Sequence, residues 1–221
     1  MRKILLVVLA VTLVLGIATI VGAKISGSPH DLAPEPCAMC HTPHSGTGDY
    51  PLWNRYQVAQ TYNMYESPSF DMVAEQASQP QPPSSLCLVC HNGVYSELVN
   101  YPGPCSNPDA AYDLTVQGCA DLDIDLTDDH PLSFTYDPTL DNDGNEFPAV
   151  ITKGVNRKYI PGPYTGTDYP LYGENKDQFE CATCHSVHDT VDYPGKGDYQ
   201  VYFLRADNSG SLMCQDCHTA R

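Results

Sequence analysis

The chain contains 221 residues, of which 42% are hydrophobic, and its 27 acidic and 11 basic residues give a formal net charge of -16. The hydrophobic content is too high for a disordered chain and too low for a protein with several membrane spans. The net charge also excludes a nucleic-acid partner, because a phosphate backbone binds to a basic surface. Ten cysteines, 19 prolines and 16 glycines predict mostly irregular coil with short α-helices and few short β-strands, held together by something other than an apolar core.

Residues 1–23 have the pattern of a secretory signal peptide. Arg2 and Lys3 form a basic start, an apolar run follows, and small residues precede a cleavage point after Ala23. Cleavage there predicts a mature chain that begins at Lys24 and is secreted to the extracellular space or the cell surface, where cysteines meet a thiol-permissive environment. The alternative is an uncleaved anchor, because about 20 apolar residues can span a bilayer.

Eight of the ten cysteines fall into four copies of one pattern, Cys-x-x-Cys-His, at residues 37–41, 87–91, 181–185 and 214–218. Two thiols at this spacing can each form a thioether with one vinyl group of the same porphyrin, and the histidine that follows binds the iron as proximal ligand. A zinc ribbon has no need of a histidine after every second cysteine, and a thioredoxin-like site belongs to a βαβ pattern that this sequence lacks. The sequence therefore predicts four covalently bound haem c groups.

The motifs and the remaining histidines define a predicted ligand set. The predicted thioether-forming residues are Cys37, Cys40, Cys87, Cys90, Cys181, Cys184, Cys214 and Cys217, and the predicted proximal iron ligands are His41, His91, His185 and His218. Four histidines remain for the four sixth coordination positions, which favours bis-histidine ligation: His30, His44, His130 and His188. Four methionines of the mature chain are the alternative axial ligands: Met39, Met64, Met72 and Met213. Iron with two imidazole ligands has no open position for a substrate, so we expect electron transfer at low potential and no enzymatic activity.

The motifs alternate in type, which indicates an internal duplication. The first and third carry a second histidine three residues after the proximal one, whereas the second and fourth lack it. We therefore predict two dihaem modules, residues 24–100 and 130–221, joined by a connecting segment at residues 101–129. Residues three apart on a helical turn lie on one face, so His44 and His188 cannot easily reach the far side of the iron held beside them. Each is expected to serve another haem, in the same or a neighbouring subunit.

The connecting segment contains the two cysteines outside the motifs. Cys105 and Cys119 close a 15-residue loop, in which a disulfide would contribute about 3 kcal/mol. An acidic run at residues 121–129 is interpreted as a solvated loop. Residues 141–150 resemble a calcium loop only in part, because Val150 stands where an EF-hand requires glutamate.

Regular structure is expected only in short pieces. We predict short helices around each Cys-x-x-Cys-His motif and a two-turn helix over residues 71–77. Three prolines predict an extended polyproline connector at residues 79–85. The β-branched and aromatic content of residues 150–152 and 199–204 predicts short strands.

Several segments resemble exported multihaem c-type cytochromes with the doubled Cys-x-x-Cys-His motif. The segments that carry the resemblance are residues 27–32, 37–44, 51–55, 65–69, 85–91, 129–134 and 203–205. In that family the histidines of the first segment and of the His-Pro segment are distal haem ligands, which implies the same role for His30 and His130. The size, four haems and exported state are similar to those of OmcE-type tetrahaem cytochromes. Those proteins polymerise into extracellular filaments in which one axial histidine comes from the adjacent subunit.

The resemblance implies a head-to-tail homopolymer, the subunit of a conductive filament, in which His44 is the ligand that crosses between subunits. Three alternatives remain open: a monomeric periplasmic electron shuttle, a membrane-anchored tetrahaem quinol dehydrogenase that retains residues 4–22 as an anchor, and a haem enzyme with one open iron. The other expected partners are redox proteins or extracellular electron acceptors. The acidic surface suits basic redox partners, cations or mineral surfaces.

Overall fold

The computed structural model of the protein describes His30 and residues 36–44, 46, 52–54, 59–93, 101–102, 111–112, 122–142, 147–188 and 203–219. The predicted signal peptide and the predicted Cys105–Cys119 disulfide lie outside these residues. So does the centre of the calcium-like loop. Within the described residues, no helix is both long and apolar enough to cross a membrane.

Helices are short, and four of them carry the cysteine motifs. The α-helices are α1 at Ser84–Cys87, α2 at Cys181–Cys184 and α3 at Leu212–Cys217. The 3-10 helices are Pro36–Met39, Val73–Glu75, Leu126–Asp128, Pro138–Leu140 and Ser209–Ser211. The prediction of a short helix at each motif is confirmed for the described residues.

In the described part of the chain, the strands form three small antiparallel sheets. They are β1 at Tyr101–Pro102, β2 at Ala111–Tyr112, β3 at Phe134–Thr135, β4 at Ile151–Lys153, β5 at Arg157–Pro161, β6 at Asp168–Pro170 and β7 at Gln178–Phe179. Strand β1 pairs with β2, β3 pairs with β7, and β4, β5 and β6 form a three-stranded sheet in that order. The predicted strand at residues 150–152 is therefore β4, displaced by one residue.

Two small apolar clusters form the described core, and both contact motif cysteines. The larger one lies around β3, β5, β6 and β7 and includes Met72, Phe134, Tyr136, Ile160, Tyr169, Leu171, Phe179 and Ala206. Cys184 and Cys217 pack against it. The smaller cluster consists of Leu88, Leu126 and Leu132, and Cys181 packs against it. The apolar residues thus surround the predicted attachment sites.

Three local predictions differ from the structure. The helix expected over residues 71–77 is reduced to one 3-10 turn, because Gln76 pairs with Phe134 and the chain leaves the helical path there. The expected polyproline connector ends in a turn at Pro82 and Pro83 that leads into α1. Proline suits this position, since its fixed φ is compatible with a first helical turn. Of the strand expected at residues 199–204, the described part contributes only an isolated bridge at Leu204.

Candidate functional site

All four Cys-x-x-Cys-His motifs adopt one helical turn. In each, the backbone N–H of the histidine donates to the carbonyl oxygen of the first cysteine, four residues earlier. The distances are 2.9 Å at His41, 3.1 Å at His91, 3.0 Å at His185 and 2.9 Å at His218. Residues three and four apart on such a turn share one face, so both cysteines and the histidine lie on the same side. This arrangement fits the attachment of one planar group by two thioethers with an imidazole beneath it.

No disulfide joins any two of the eight motif cysteines. Within the described residues there is no group of three or more His, Cys, Asp or Glu side chains arranged to hold a metal ion.

Backbone hydrogen bonds from a second segment, residues 52–54, hold the first motif in place. Thr42 N–H donates to the Leu52 carbonyl at 2.7 Å, and Asn54 N–H donates to the Cys40 carbonyl at 2.8 Å. The Asn54 side chain then donates to the Ala38 carbonyl, inside the motif, at 3.0 Å. Leu52 has the left-handed backbone conformation, with φ of 60°. The motif is thus held from outside its own turn.

The third motif is clamped in the same way, position for position. Ser186 N–H donates to the Phe203 carbonyl at 2.7 Å, and Arg205 N–H donates to the Cys184 carbonyl at 2.9 Å. The Arg205 Nε–H donates to the Ala182 carbonyl at 2.9 Å, and Phe203 has φ of 66°. The first and third motifs thus share two equivalent backbone hydrogen bonds, a side chain that donates to a carbonyl inside the motif, and a residue with left-handed backbone conformation. This structural repeat is compatible with the two-module organisation that the sequence predicts.

Two pairs of imidazole rings lie at a separation that suits a shared metal ion. The ring centroids of His30 and His91 are 5.9 Å apart, and those of His41 and His188 are also 5.9 Å apart. Two imidazoles that bind one ion through bonds of about 2.0 Å have centroids roughly 6 Å apart. Each pair joins a predicted proximal ligand to a predicted distal ligand from a different part of the chain.

His130 interacts electrostatically with His218, without a ring contact between the two among the described residues. Burial lowers the pKa of His130, the hydrogen bond to the Pro131 carbonyl raises it, and the charge of His218 adds a smaller lowering effect, although part of the side chain remains exposed. The His130 Nδ1 lies 2.8 Å from the Pro131 carbonyl oxygen. Because a carbonyl can only accept, Nδ1 carries the proton, and Nε2 keeps a lone pair that can bind a metal.

Aromatic side chains hold several of these imidazoles in place. Phe203 stacks on His30 with a centroid distance of 4.9 Å and an angle of 12°, and Phe179 stacks on His130 at 5.1 Å and 24°. Burial, followed by the charges of His91 and His185, lowers the pKa of His30 to about 4. The imidazole of His30 is therefore neutral at physiological pH, which is the form that binds iron.

His44 differs from the other three predicted distal ligands. Its side chain is exposed, as are those of His130 and His188, but no ring contact of its imidazole occurs among the described residues. Its backbone carbonyl accepts a hydrogen bond from the Thr42 hydroxyl at 2.7 Å, which fixes the local turn. His30 and His188 thus lie beside predicted proximal histidines, whereas His44 meets no ring in the described part of the chain.

The second and third motifs lie against each other. A hydrogen bond to Cys181, followed by burial, raises the pKa of Cys87, and the charge of Cys40 also acts on it. Burial, together with the charges of Cys181 and Cys214, raises the pKa of Cys184 to about 12. Thiols of consecutive motifs therefore interact electrostatically, and those of the second and third motifs are in contact.

Trp53 carries an unsatisfied polar atom next to the first motif. Its indole N–H is buried and has no hydrogen-bond acceptor within the described part of the chain. The ring lies edge-on to His41, with centroids 6.0 Å apart. A buried donor without an acceptor costs free energy, and a carboxylate of a group bound at His41 would satisfy it. The propionate groups of haem supply such a carboxylate, so this residue also fits the predicted cofactor.

Two buried carboxyl groups beside the motifs were not anticipated by sequence reasoning. Glu180 precedes the third motif and Asp216 lies inside the fourth, and both side chains are 0% exposed. Tyr164 N–H, Thr165 N–H and the Tyr169 hydroxyl donate to Asp216, which joins α3 to the segment between β5 and β6. Acidic residues are so common in this chain that neither stood out, and only burial distinguishes them.

Comparison with models of protein families found no match for this chain, and comparison with curated proteins found no significant similarity. The observations that bear on function are therefore the four motifs, the histidine pairs and their surroundings.

Proposed function

We propose that this protein is a tetrahaem c-type cytochrome that carries electrons through four closely spaced bis-histidine haems and is not an enzyme. The observation that carries the proposal is the pairing of imidazoles from distant segments at 5.9 Å, each pair including the histidine of a Cys-x-x-Cys-His turn. Two histidines can stack without a Cys-x-x-Cys-His motif beside them. A shared iron would explain both the ring separation and the presence of the motif in each pair.

The chain's own residues would hold the cofactors and set their properties. The eight motif cysteines would form the thioethers, and the haem groups would supply an Fe(III)/Fe(II) couple when bound. The paired histidines would fill both axial positions and so exclude small-molecule ligands. The aromatic rings against His30 and His130 restrict the imidazole orientation, and the adjacency of consecutive motifs provides the short separations that rapid electron transfer requires.

We further propose that subunits assemble head-to-tail into an extracellular filament after residues 1–23 are removed. His44 supports this step, because it is the predicted distal ligand whose exposed imidazole makes no ring contact with the described residues, whereas the rings of His30, His130 and His188 each meet another ring. A histidine that binds a haem of the next subunit creates a heterologous contact, and such a contact repeats without closing. His44 would then be the residue that links one subunit to the next.

The first test is the cofactor content of the mature protein purified from cells that attach haem. Mass spectrometry is expected to show four haem groups per chain and an N-terminus at Lys24. The reduced spectrum is expected to remain unchanged under carbon monoxide, because both axial positions are filled. Fewer than four haems would contradict the cofactor assignment. A carbon monoxide shift in the intact assembly would indicate an open iron and revive the enzymatic alternative, and a retained N-terminal segment would favour the membrane-anchored alternative.

Electron cryomicroscopy of the secreted protein tests the assembly. Filaments in which the His44 imidazole crosses a subunit boundary are expected. Discrete particles in which all eight histidines bind haem within one chain would make the protein a monomeric shuttle and would overturn the filament proposal.

A further inference from the structure

Glu180 is a buried carboxyl group with one satisfied and one unsatisfied oxygen. Its side chain is 0% exposed. Oε2 accepts hydrogen bonds from the hydroxyls of Ser84 and Ser133, whereas Oε1 has no partner among the described residues. An ionised carboxylate carries its charge on both oxygens, so burial of Oε1 without a donor disfavours the ionised form.

The carboxyl group lies between the second and third predicted haem attachment sites. Ser84 opens α1, which ends at Cys87, and Cys181 directly follows Glu180 at the start of α2. The Ser84 hydroxyl also accepts from the Cys181 N–H at 2.8 Å. The thiols of Cys87 and Cys181 are themselves hydrogen-bonded. One small network therefore contains Glu180 and the first cysteine of both motifs.

The groups around Glu180 act on its ionisation in opposite directions. Burial raises the pKa of Glu180 to about 8, against the hydrogen bonds from Ser84 and Ser133, which lower it, and the charge of Cys181 adds a smaller upward effect. Thioether formation at Cys181 would remove that thiol and leave burial as the cause of the raised pKa of Glu180. The same reaction removes the Cys87 thiol of α1.

Few charged groups face the carboxyl from the elements packed around it. The Ser133 segment carries His130, whose Nδ1 is bonded to the Pro131 carbonyl. Asp129 acts on Cys181 through its charge. Ser84 acts on the carboxyl through both its hydroxyl and its backbone N–H, which lower the pKa of Glu180, and Thr183 Oγ1 accepts from the Glu180 N–H at 3.0 Å.

An electron on a nearby haem changes the proton affinity of a buried carboxyl group. The added negative charge repels the carboxylate, and the low local dielectric makes this repulsion stronger than in water. Reduction therefore favours protonation. By thermodynamic reciprocity, protonation favours reduction by the same free energy.

We propose that Glu180 takes up one proton when one haem, at either the second or the third motif, is reduced, and releases it when that haem is oxidised. The inference rests on the proposed haem-binding function. One electron, delivered by a one-electron donor protein, converts Fe(III) to Fe(II), and one proton from solvent adds to the Glu180 carboxylate to form the acid. The local charge is unchanged by the coupled step, so Glu180 makes the reduction potentials of these two sites depend on pH.

Spectroelectrochemical titration of the four-haem protein from about pH 6 to about pH 9 tests this role. In the wild type, the equilibrium constant for reduction of the coupled haems is expected to fall by up to tenfold per pH unit near the pKa of Glu180. Glu180→Gln keeps the shape and cannot ionise, so this part of the pH dependence is expected to disappear. Glu174→Gln makes the same substitution at an exposed position and is expected to behave as the wild type. An unchanged pH dependence in Glu180→Gln would overturn the proposal.

Infrared difference spectroscopy of the wild type provides a second measurement that needs no folded variant. On reduction near pH 8, the carbonyl band of a buried carboxylic acid is expected to grow while carboxylate bands shrink. Absence of this change would overturn the role of Glu180. The haem count of the same preparation separates this failure from a failure of the proposed function, because a four-haem protein without the band loses only the proton coupling. A chain without haem overturns both.

Discussion

His44 and His188 occupy the same position in two copies of one motif, three residues after the predicted proximal histidine, yet their surroundings differ. The ring of His188 lies 5.9 Å from that of His41, whereas the ring of His44 meets no ring among the described residues. Equivalent sequence positions therefore have different spatial partners. The proposed ligation by His188 within the subunit and by His44 between subunits would account for this difference, and a comparison of variants at the two positions tests it.

His44→Ala is expected to prevent filament assembly while leaving the subunit folded with four haems. The residue is exposed, so its removal should change the free energy of unfolding by no more than about 0.5 kcal/mol. Analytical ultracentrifugation should show discrete subunits in place of polymers. Filaments of wild-type length would show that His44 does not link the subunits.

His188→Ala serves as the matched control. It removes the imidazole beside His41, so the first haem is expected to lose its distal ligand within the subunit. The expected result is a high-spin signal and carbon monoxide binding at one haem. A spectrum identical to that of the wild type would exclude His188 as an axial ligand.

The ionisation of Glu180 also affects stability. Its pKa rises from 4.5 to about 8 on folding, so between these pH values the folded state binds a proton that the unfolded state has lost. The free energy of unfolding should therefore fall as the pH rises from about 4.5 to about 8 and level off above that range. Guanidinium unfolding of the haem-loaded protein at several pH values measures this slope. Glu180→Gln should have a flatter profile, and an equal slope in both proteins would assign the dependence to other groups.

At the scale of elements, α3 and the segment between β5 and β6 depend on each other through Asp216. The approach is so close that a Cβ at Gly162 would lie 2.5 Å from Asp216 Oδ2. Glycine is therefore required at this position, and the carboxylate receives two backbone N–H groups there. Strands β5 and β6 and the segment between them thus position the last motif.

Asp216→Ala is expected to destabilise the fourth motif. The change leaves the N–H groups of Tyr164 and Thr165 and the Tyr169 hydroxyl without their acceptor, which should cost about 3 kcal/mol. Chemical denaturation measures the loss. Hydrogen exchange should be fastest in residues 161–169 and in α3.

Asp207→Ala is the control for this prediction. Asp207 is exposed and bonds only to nearby Ser209 among the described residues, so a change below about 1 kcal/mol is expected. Equal losses in the two variants would show that the buried network contributes little.

For the whole molecule, the described apolar core is small. Twelve hydrophobic residues are buried in the described part of the chain, and eleven of them form two separate clusters of eight and three residues. A core of this size gives little free energy to offset the conformational entropy of so much coil. Four large apolar cofactors would supply the missing buried surface.

The chain without attached haem is therefore expected to be unfolded. Protein produced in cells that lack haem attachment should show no cooperative thermal transition and little protection from hydrogen exchange. The haem-loaded protein, measured under the same conditions, should unfold cooperatively. A cooperative transition of similar size in both forms would show that the polypeptide core is sufficient.

The sequence predicts the local features of the structure, which depend on residues close together in the chain. The cysteine spacing predicts one helical turn at each motif, and the structure has that turn four times, because its hydrogen bond links residues only four apart. The predominance of coil follows in the same way from proline and glycine. The helix over residues 71–77 was overestimated because Gln76 pairs with Phe134, a contact between distant segments that local propensity does not include.

The sequence by itself determined the four Cys-x-x-Cys-His motifs, the number of histidines and their division into two similar halves, since each is written in residue type and spacing. Tertiary structure alone decided which histidines meet, that the ring of His44 meets no other ring among the described residues, and that Glu180 and Asp216 are buried beside the motifs. The reason is physical. Pairing and burial depend on contacts between segments dozens of residues apart, such as Ser84 with Glu180, and these contacts exist only when the chain has closed its loops around the sites.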